Sequence, residues 1–287
     1  MLVIRDIFPA ASSSHGEIDG ALRCFAKPAL KTPWETMKTL YLVGAVLLPA
    51  LFFTMGARPS APQIQIGAFS KADVHAPLMD GWEPLTIKKR AVTDYTLVED
   101  SGTVVVKATS KASASGLVKR VTIAPEEYPI LTWRWKVDNV LEKGDVSRKK
   151  GDDYPARLYI TFDYDPSDLS LGDWIKYKVL RVLGYKDIPL RALNYIWANR
   201  APVGTIVPNP YTHWVMMIAV QSGSEQINTW QVEVRNIYED YEAAFGEKPG
   251  RITGIALMTD TDNTGESATA YYGDISLCRA DSASTTP

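Results

Sequence analysis

The stretch MTDTDNTGESATAYYGDI, residues 258–275, gathers Asp260, Asp262, Asn263 and Gly265 between two apolar runs. Closely spaced carboxylates before a glycine suit a hard cation, because Ca2+ takes oxygen ligands in a flexible shell. In an EF-hand register Asp260, Asp262 and Thr264 fill the first, third and fifth places and Gly265 the sixth. Tyr271 stands at the twelfth, where a bidentate Glu is required, so an EF-hand is excluded. A looser calcium site remains, built from Asp260, Asp262, the Asn263 side chain and a carboxylate from elsewhere. The competing reading is a tight hairpin turn, since Asp, Asn, Thr and Gly bond their own backbone. The turn is the default and calcium the sharper expectation.

A second set of residues is defined by strand alternation, which turns every second side chain to the same face. If their strands share a sheet, Arg134, Lys136, Arg157, Tyr159, Asp163, Glu233, Arg235, Tyr272 and Asp274 form one polar surface, with Asp152 and Asp153 at the entry to the Arg157 strand. Arginine grips carboxylates in bidentate fashion and tyrosine lies flat against sugar rings. The expectation is a groove for a glycan or polysaccharide, with Arg134, Asp152, Asp153, Arg157, Tyr159, Arg235, Tyr272 and Asp274 as ligand-binding residues. The competing reading is an internal ion-pair network in which Asp152, Asp153 and Asp274 neutralise the three arginines. As an enzyme, a glycosidase would need two flanking carboxylates. Asp152 or Asp153 with Asp274 or Glu233 are the candidates, while a lyase would use Tyr159 or Tyr272 as acid.

Other chemistries are weaker. His75 and His213 are the only histidines after the apolar run near the N-terminus, and neither has a ligand-spaced partner for zinc. His213, beside Trp214, reads as a packed residue rather than a base. Ser113 and Ser115 lack the elbow of a hydrolase nucleophile and, beside Gly116, read as small residues permitting close packing. Cys278 ends the last alternating run with no basic cluster beside it, so a reactive thiol is not favoured.

The elements that must position these residues are short alternating runs. DYTLVED and TVVVKAT flank Ser101-Gly102 and read as a hairpin; LTWRWKV, RLYITFD and WQVEVR alternate apolar with polar residues. In the last of these, Trp230, Val232 and Val234 are expected inward and Gln231, Glu233 and Arg235 outward. WVMMIAV (214–220) is apolar throughout and reads as a central strand covered on both faces, and GRITGIALMTD is nearly so. GDWIKYKVLRVLGY reads as a helix with Ile175, Val179, Val182 and Leu183 on one face and Gly184 as its stop. That face is expected to pack on its own domain, with a membrane surface or a lid role as alternatives. A second short helix is expected over EDYEAAFGE. The pattern points to an all-β fold, an antiparallel two-sheet sandwich of jelly-roll, carbohydrate-binding-module type with one or two helical insertions.

Residues 1–36 read as an unstructured upstream segment or an over-extended start. Residues 37–57, containing TLYLVGAVLLPALFFTMGA, read as a signal peptide, or as an inner-membrane anchor if uncleaved. Residues 58–68 read as a linker, 69–279 as one sandwich domain and 280–287 as a disordered tail. The domain is expected to be exported, to the periplasm or cell envelope, and to touch membrane only through the N-terminal segment. Of the two cysteines, Cys24 precedes the apolar run, so an exported form cannot close an internal disulfide. A net charge of −2 implies no nucleic-acid partner, and 46% hydrophobic residues suffice for a substantial core.

The strings SKASASGL, YPILTWRWKV, KKGDDYPARLYITF, NPYT and VRNIYEDYEAAFGEKPGRITGIALMTDTDNTG followed by YYGDI together resemble the bacterial domain of unknown function family three thousand and forty-seven, from about Phe69 to Leu277. That family has no settled activity, so the resemblance carries over no catalytic residues. It implies exported β-sandwich proteins. A scaffold role in the cell envelope, docking through the Lys176–Tyr185 helix, is the third functional class.

Overall fold

The computed structural model describes residues 62–77, 80–182 and 189–280. Among the described residues, thirteen strands form two facing sheets, and successive strands cross repeatedly between them in a jelly-roll sandwich. The first sheet runs β11 (Gln231–Asn236), β6 (Ile130–Val137), β13 (Ser267–Cys278), β4 (Thr103–Lys111), β3 (Asp94–Asp100), with β1 (Gln63–Gly67) also paired to β13. The second runs β2 (Glu83–Thr86), β5 (Ala114–Ile123), β12 (Ile252–Asp260), β7 (Arg157–Phe162), β8 (Arg191–Ala198), β10 (Thr212–Ser222), β9 (Ile206–Asn209). Pairing is antiparallel except between β10 and β8, which run parallel. β1 lies within the segment read as a linker; its residues pair with β13 from Gln63 opposite Cys278 onward.

Alternation places the core as expected on β6: Leu131, Trp133 and Trp135 are buried and face Leu158, Ile160, Tyr195 and Trp197 of the second sheet. The tilted rings of Trp133 and Tyr195 pack with centroids 5.2 Å apart, and those of Trp135 and Trp197 with centroids 6.2 Å apart. Ser101 and Gly102, at φ 53 and 77, form the tight turn of the β3–β4 hairpin. β10 is buried nearly throughout: Ile218 and Val220 join the shared core, Met217 and Ala219 belong to a cluster with Tyr154 and Ile196, and Trp214 packs on Leu190.

Two α-helices are described, besides three short 3-10 turns. α1 (Leu171–Val182) begins where the Ser170 hydroxyl accepts the Asp173 amide at 3.2 Å. α2 (Ile237–Phe245) starts earlier than the spacing predicts, because the Asn236 side chain caps the amides of Tyr238 and Glu239, and it stops at Gly246, φ 72. The expected stop at Gly184, together with Leu183 and the N-terminal segments, lies outside the described residues.

Among the described residues, the apolar face of α1 that carries Ile175 and Val179 does not pack on its domain. Leu171, Trp174, Ile175 and Val179 are 76, 42, 51 and 50% exposed, and the contact with the sandwich is made by Tyr177, against Leu190 and Trp214. His213 is likewise exposed rather than packed, and its Nε2 lies 3.2 Å from Asp173 Oδ2 of the helix.

Strand β11 faces opposite to expectation. Val232 and Val234 are 66 and 57% exposed, whereas Glu233, opposite Trp133 across the ladder, is buried. The acceptor it supplies explains the inversion: Trp135 Nε1 and Gln221 Nε2 both donate to Glu233 Oε1, at 3.2 and 2.8 Å. One buried and one half-buried N–H group that need an acceptor outweigh the burial of two valines on an edge strand.

Candidate functional site

The three arginines do not share a surface. Arg134 points out from the first sheet, its guanidinium 4.5 Å from the Trp230 ring centroid, beside Lys136, which pairs with Asp100 at 2.9 Å. Arg235 turns to the opposite face of that sheet and binds Asp240 of α2, whose Oδ2 also accepts the Tyr195 hydroxyl at 2.7 Å. Arg157 belongs to the second sheet and is fully buried. The expectation failed because β6 and β11 lie in one sheet and β7 in the other, and because period two breaks in β13. There a bulge between Tyr272 and Ile275 leaves both buried and turns Asp274 outward, where it accepts the Ser70 amide and hydroxyl at 2.8 and 2.6 Å. Tyr272 reaches across the core to donate to Met258 O at 2.7 Å.

Arg157 is the hub of a closed network. Its Nε and Nη2 donate to the two carboxylate oxygens of Asp260 at 2.7 and 2.6 Å, Nη2 also donates to Asp152 O at 2.6 Å, and Nη1 donates to the Tyr159 hydroxyl at 3.0 Å. The guanidinium lies 4.3 Å from the Tyr154 ring centroid. Asp152 Oδ1 is 3.5 Å from Nη1, and its Oδ2 accepts Asn209 Nδ2 at 3.1 Å. Burial nevertheless lifts the Asp152 carboxyl to about 6, with Arg157 pulling the other way. Burial also lifts Asp260 well above the usual carboxylate range, again opposed by Arg157. Burial is the largest single influence on Arg157 and works against its charge, but Asp260, Tyr159, Asp152 and Tyr154 together outweigh it, and the guanidinium stays protonated.

The opening stretch is a turn, and it joins the two sheets as an arch rather than a hairpin: β12 ends at Asp260, Gly265 adopts φ 72, and β13 begins at Ser267. Carboxylate oxygens of Asp153, Asp260 and Asp262 lie within 4.8 Å of one another, so Asp153 is the carboxylate from elsewhere. Each already has a partner. Asp153 accepts Asn263 Nδ2 at 2.8 Å and Thr264 N at 2.6 Å, Asp260 takes Arg157, and Asp262 lies 3.1 Å from Arg90 Nε. Asn263 turns its amide nitrogen, a donor, toward Asp153, while its oxygen accepts from Tyr211 at 3.2 Å. Two guanidinium groups thus supply positive charge where a cation would.

Ser113 and Ser115 are buried in a hydroxyl network with Ser110, Thr93 and Thr261. A Cβ on Gly116 would meet Leu257 O at 2.7 Å, which is the close packing those small residues permit. Burial raises the Cys278 thiol, which disfavours the reactive thiolate.

The open feature is a cleft of about 340 Å³ on the outer face of the second sheet. Along β12, Ile255 and Leu257 enter the core, while Gly254, Ala256 and Met258 turn outward and form the floor. Tyr159 and Thr161 of β7 flank it on one side and Val118 and Arg120 of β5 on the other. Tyr164, Tyr177 of α1 and Leu190 make the end wall, with the Arg191 guanidinium 3.9 Å from the Tyr164 ring centroid. Of the expected ligand-binding residues, Tyr159 alone lines this cleft. Sequence reasoning missed Gly254, Ala256 and Tyr177; the alternation of small residues in GRITGIALM is the signal that could have found the floor. Asp163 is the sole acid lining the cleft among the described residues. The carboxylate pairs suggested for glycoside cleavage are divided, Asp152 and Asp153 lying over the second sheet and Glu233 and Asp274 belonging to the first.

Comparison with solved structures returns carbohydrate-binding modules at low similarity. The family 30 module of the cellulosomal cellulase Cel9D-Cel44B of Clostridium thermocellum is 13% identical, covering 77% of this chain and 99% of its own, with a TM-score of 0.33. The carbohydrate recognition domain of Emp47p is 9% identical over 78% of this chain and 99% of its own, TM-score 0.38. A mutant of the family 29 module CBM29-2 is 7% identical over 76% and 91%, TM-score 0.31. Likeness at this level carries no functional assignment. No curated protein matches the chain. The model of the family described as Protein of unknown function (DUF3047) matches residues 80–276, and the chain belongs to that family.

Proposed function

We propose that the protein binds a glycan in the cleft over β12, as an exported binding protein rather than a cleaving enzyme. The observation that carries this reading is the shape and lining of the cleft: a floor of Gly254 and Ala256 between Tyr159, Tyr164 and Tyr177, with Arg120, Thr161, Thr253 and Asp163 at hand. Ligand pockets of a few hundred Å³ combine an apolar lining with a few polar groups that fix orientation. Tyrosine suits sugars because its ring covers an apolar face while its hydroxyl stays hydrogen-bonded. Binding is favoured over cleavage because glycoside hydrolysis ordinarily needs two carboxylates across the bond, and Asp163 has no acidic partner in the lining. Arg157, Asp152 and Asp260 lie beside the floor on the same face of the sheet, where Arg157 fixes the Tyr159 hydroxyl.

A glycan array, followed by affinity electrophoresis and mass spectrometry of the polysaccharide retained, tests this. Retention without release of product is expected, unchanged by a calcium chelator. Tyr177→Ala should weaken retention about tenfold, in keeping with ~1–1.5 kcal/mol for an aromatic contact. Ala256→Phe, which fills the floor, should abolish it. Equal retention by the Ala256→Phe variant, or shortened polysaccharide in the wild-type reaction, would overturn the reading.

A further inference from the structure

Among the described residues, nothing covers the outward face of α1. Leu171, Trp174, Ile175 and Val179 follow i, i+3, i+4, i+8 spacing and form one apolar stripe, 42–76% exposed. Lys176 and Lys178 flank it and are exposed, and Lys178 Nζ lies 5.1 Å from the Trp174 ring centroid. An apolar stripe carrying tryptophan beside lysines that keep their charge in water is the composition of a helix lying in a lipid interface.

Topology supplies an independent argument for what covers that face. α1 joins the end of β7 to the start of β8, where Phe162 pairs with Arg191 and with Ile252, itself opposite Ile123 of β5. Residues 124–129 carry the chain from Ile123 to Ile130 of the other sheet, and Ile130 pairs with Cys278, which pairs with Gln63. The chain therefore enters its first strand at the end of the sandwich that bears α1. Only residues 58–62 separate β1 from the apolar run at 39–57. Five extended residues span at most about 18 Å. A bilayer holding that run would stand within reach of the same end.

We propose that α1 seats the domain on a phospholipid bilayer through Leu171, Trp174, Ile175 and Val179, with Lys176 and Lys178 at the headgroups. This does not rest on the glycan reading. The test uses the full chain reconstituted into phosphatidylcholine vesicles, with and without phosphatidylglycerol, containing lipids brominated in the upper acyl chain. Bromine quenches only tryptophans that contact the acyl region. The other seven tryptophans are common to wild type and Trp174→Phe, so the difference between the two isolates Trp174. Quenching in the Trp174→Phe variant should be clearly smaller than in wild type, with the larger difference in phosphatidylglycerol. The exposed-site double variant Ile175→Glu/Val179→Glu should keep the wild-type melting temperature and lose that difference. Equal quenching of wild type and Trp174→Phe would overturn the proposal. A dimer seen by analytical ultracentrifugation of vesicle-reconstituted protein in detergent, dissociating in the double variant, would overturn it in favour of self-association.

Discussion

Arg157 shows how far a single residue's role depends on what covers it. Its position in RLYITF predicts an outward side chain, and it does leave the core face; residues 145–156 and 260–264 then close over it. Removing it would strand Asp260 and Asp152 as buried charges, so Arg157→Met should cost about 3–5 kcal/mol in urea denaturation. Asp152 gives a pH signature. Its folded-state pKa of about 6 lies above the unfolded value near 3.8, so the folded state holds the proton more tightly. The cost of ionising it is present in full above pH 6 and disappears as pH falls toward 4. Asp152→Asn mimics the protonated form, so it should exceed wild type in stability by up to about 3 kcal/mol at pH 7 and converge with it near pH 4. An offset independent of pH would contradict this. No spacing in the sequence distinguishes a covered outward arginine from an exposed one, because period two reports the face and not the loops above it.

At the scale of elements, alternation was legible wherever burial alone sets the facing. Trp133 and Trp135, Leu158 and Ile160, and the Ser101-Gly102 hairpin follow from their residue types. β11 did not, because Trp135 and Gln221 recruit Glu233 inward and leave Val232 and Val234 at an edge. Glu233→Ala should therefore destabilise by about 1–3 kcal/mol through unsatisfied donors, whereas Val234→Ser should stay within about 0.5 kcal/mol. Thermal melts of the two variants compare these directly, and the reverse order would restore the facing read from the sequence. In β13 the bulge at Gly273-Asp274 shifts parity by one residue, and a Cβ on Gly273 would meet the Arg134 side chain at 2.4 Å. In α1 the apolar stripe was legible and its partner was not. Amphipathicity states that a face seeks an apolar neighbour without saying whether the neighbour is the same domain.

For the whole molecule, two sheets bury a shared core of tryptophans and aliphatic residues, and the second sheet buries further apolar residues on its outer face. That second burial leaves the β12 floor, with Gly254 and Ala256, as the open ground between Tyr159 and Tyr177. The sandwich was readable from short alternating runs and from the doubly apolar strands. The cleft was not, because it depends on which strands flank β12 in the second sheet and on where α1 returns to that sheet. Isothermal titration of the oligosaccharide that best represents the retained glycan, into wild type and Ala256→Phe side by side, tests the central claim most directly. Saturable heat with wild type and none with the variant, at equal melting temperature, is the predicted result. Identical isotherms for the two proteins would contradict it.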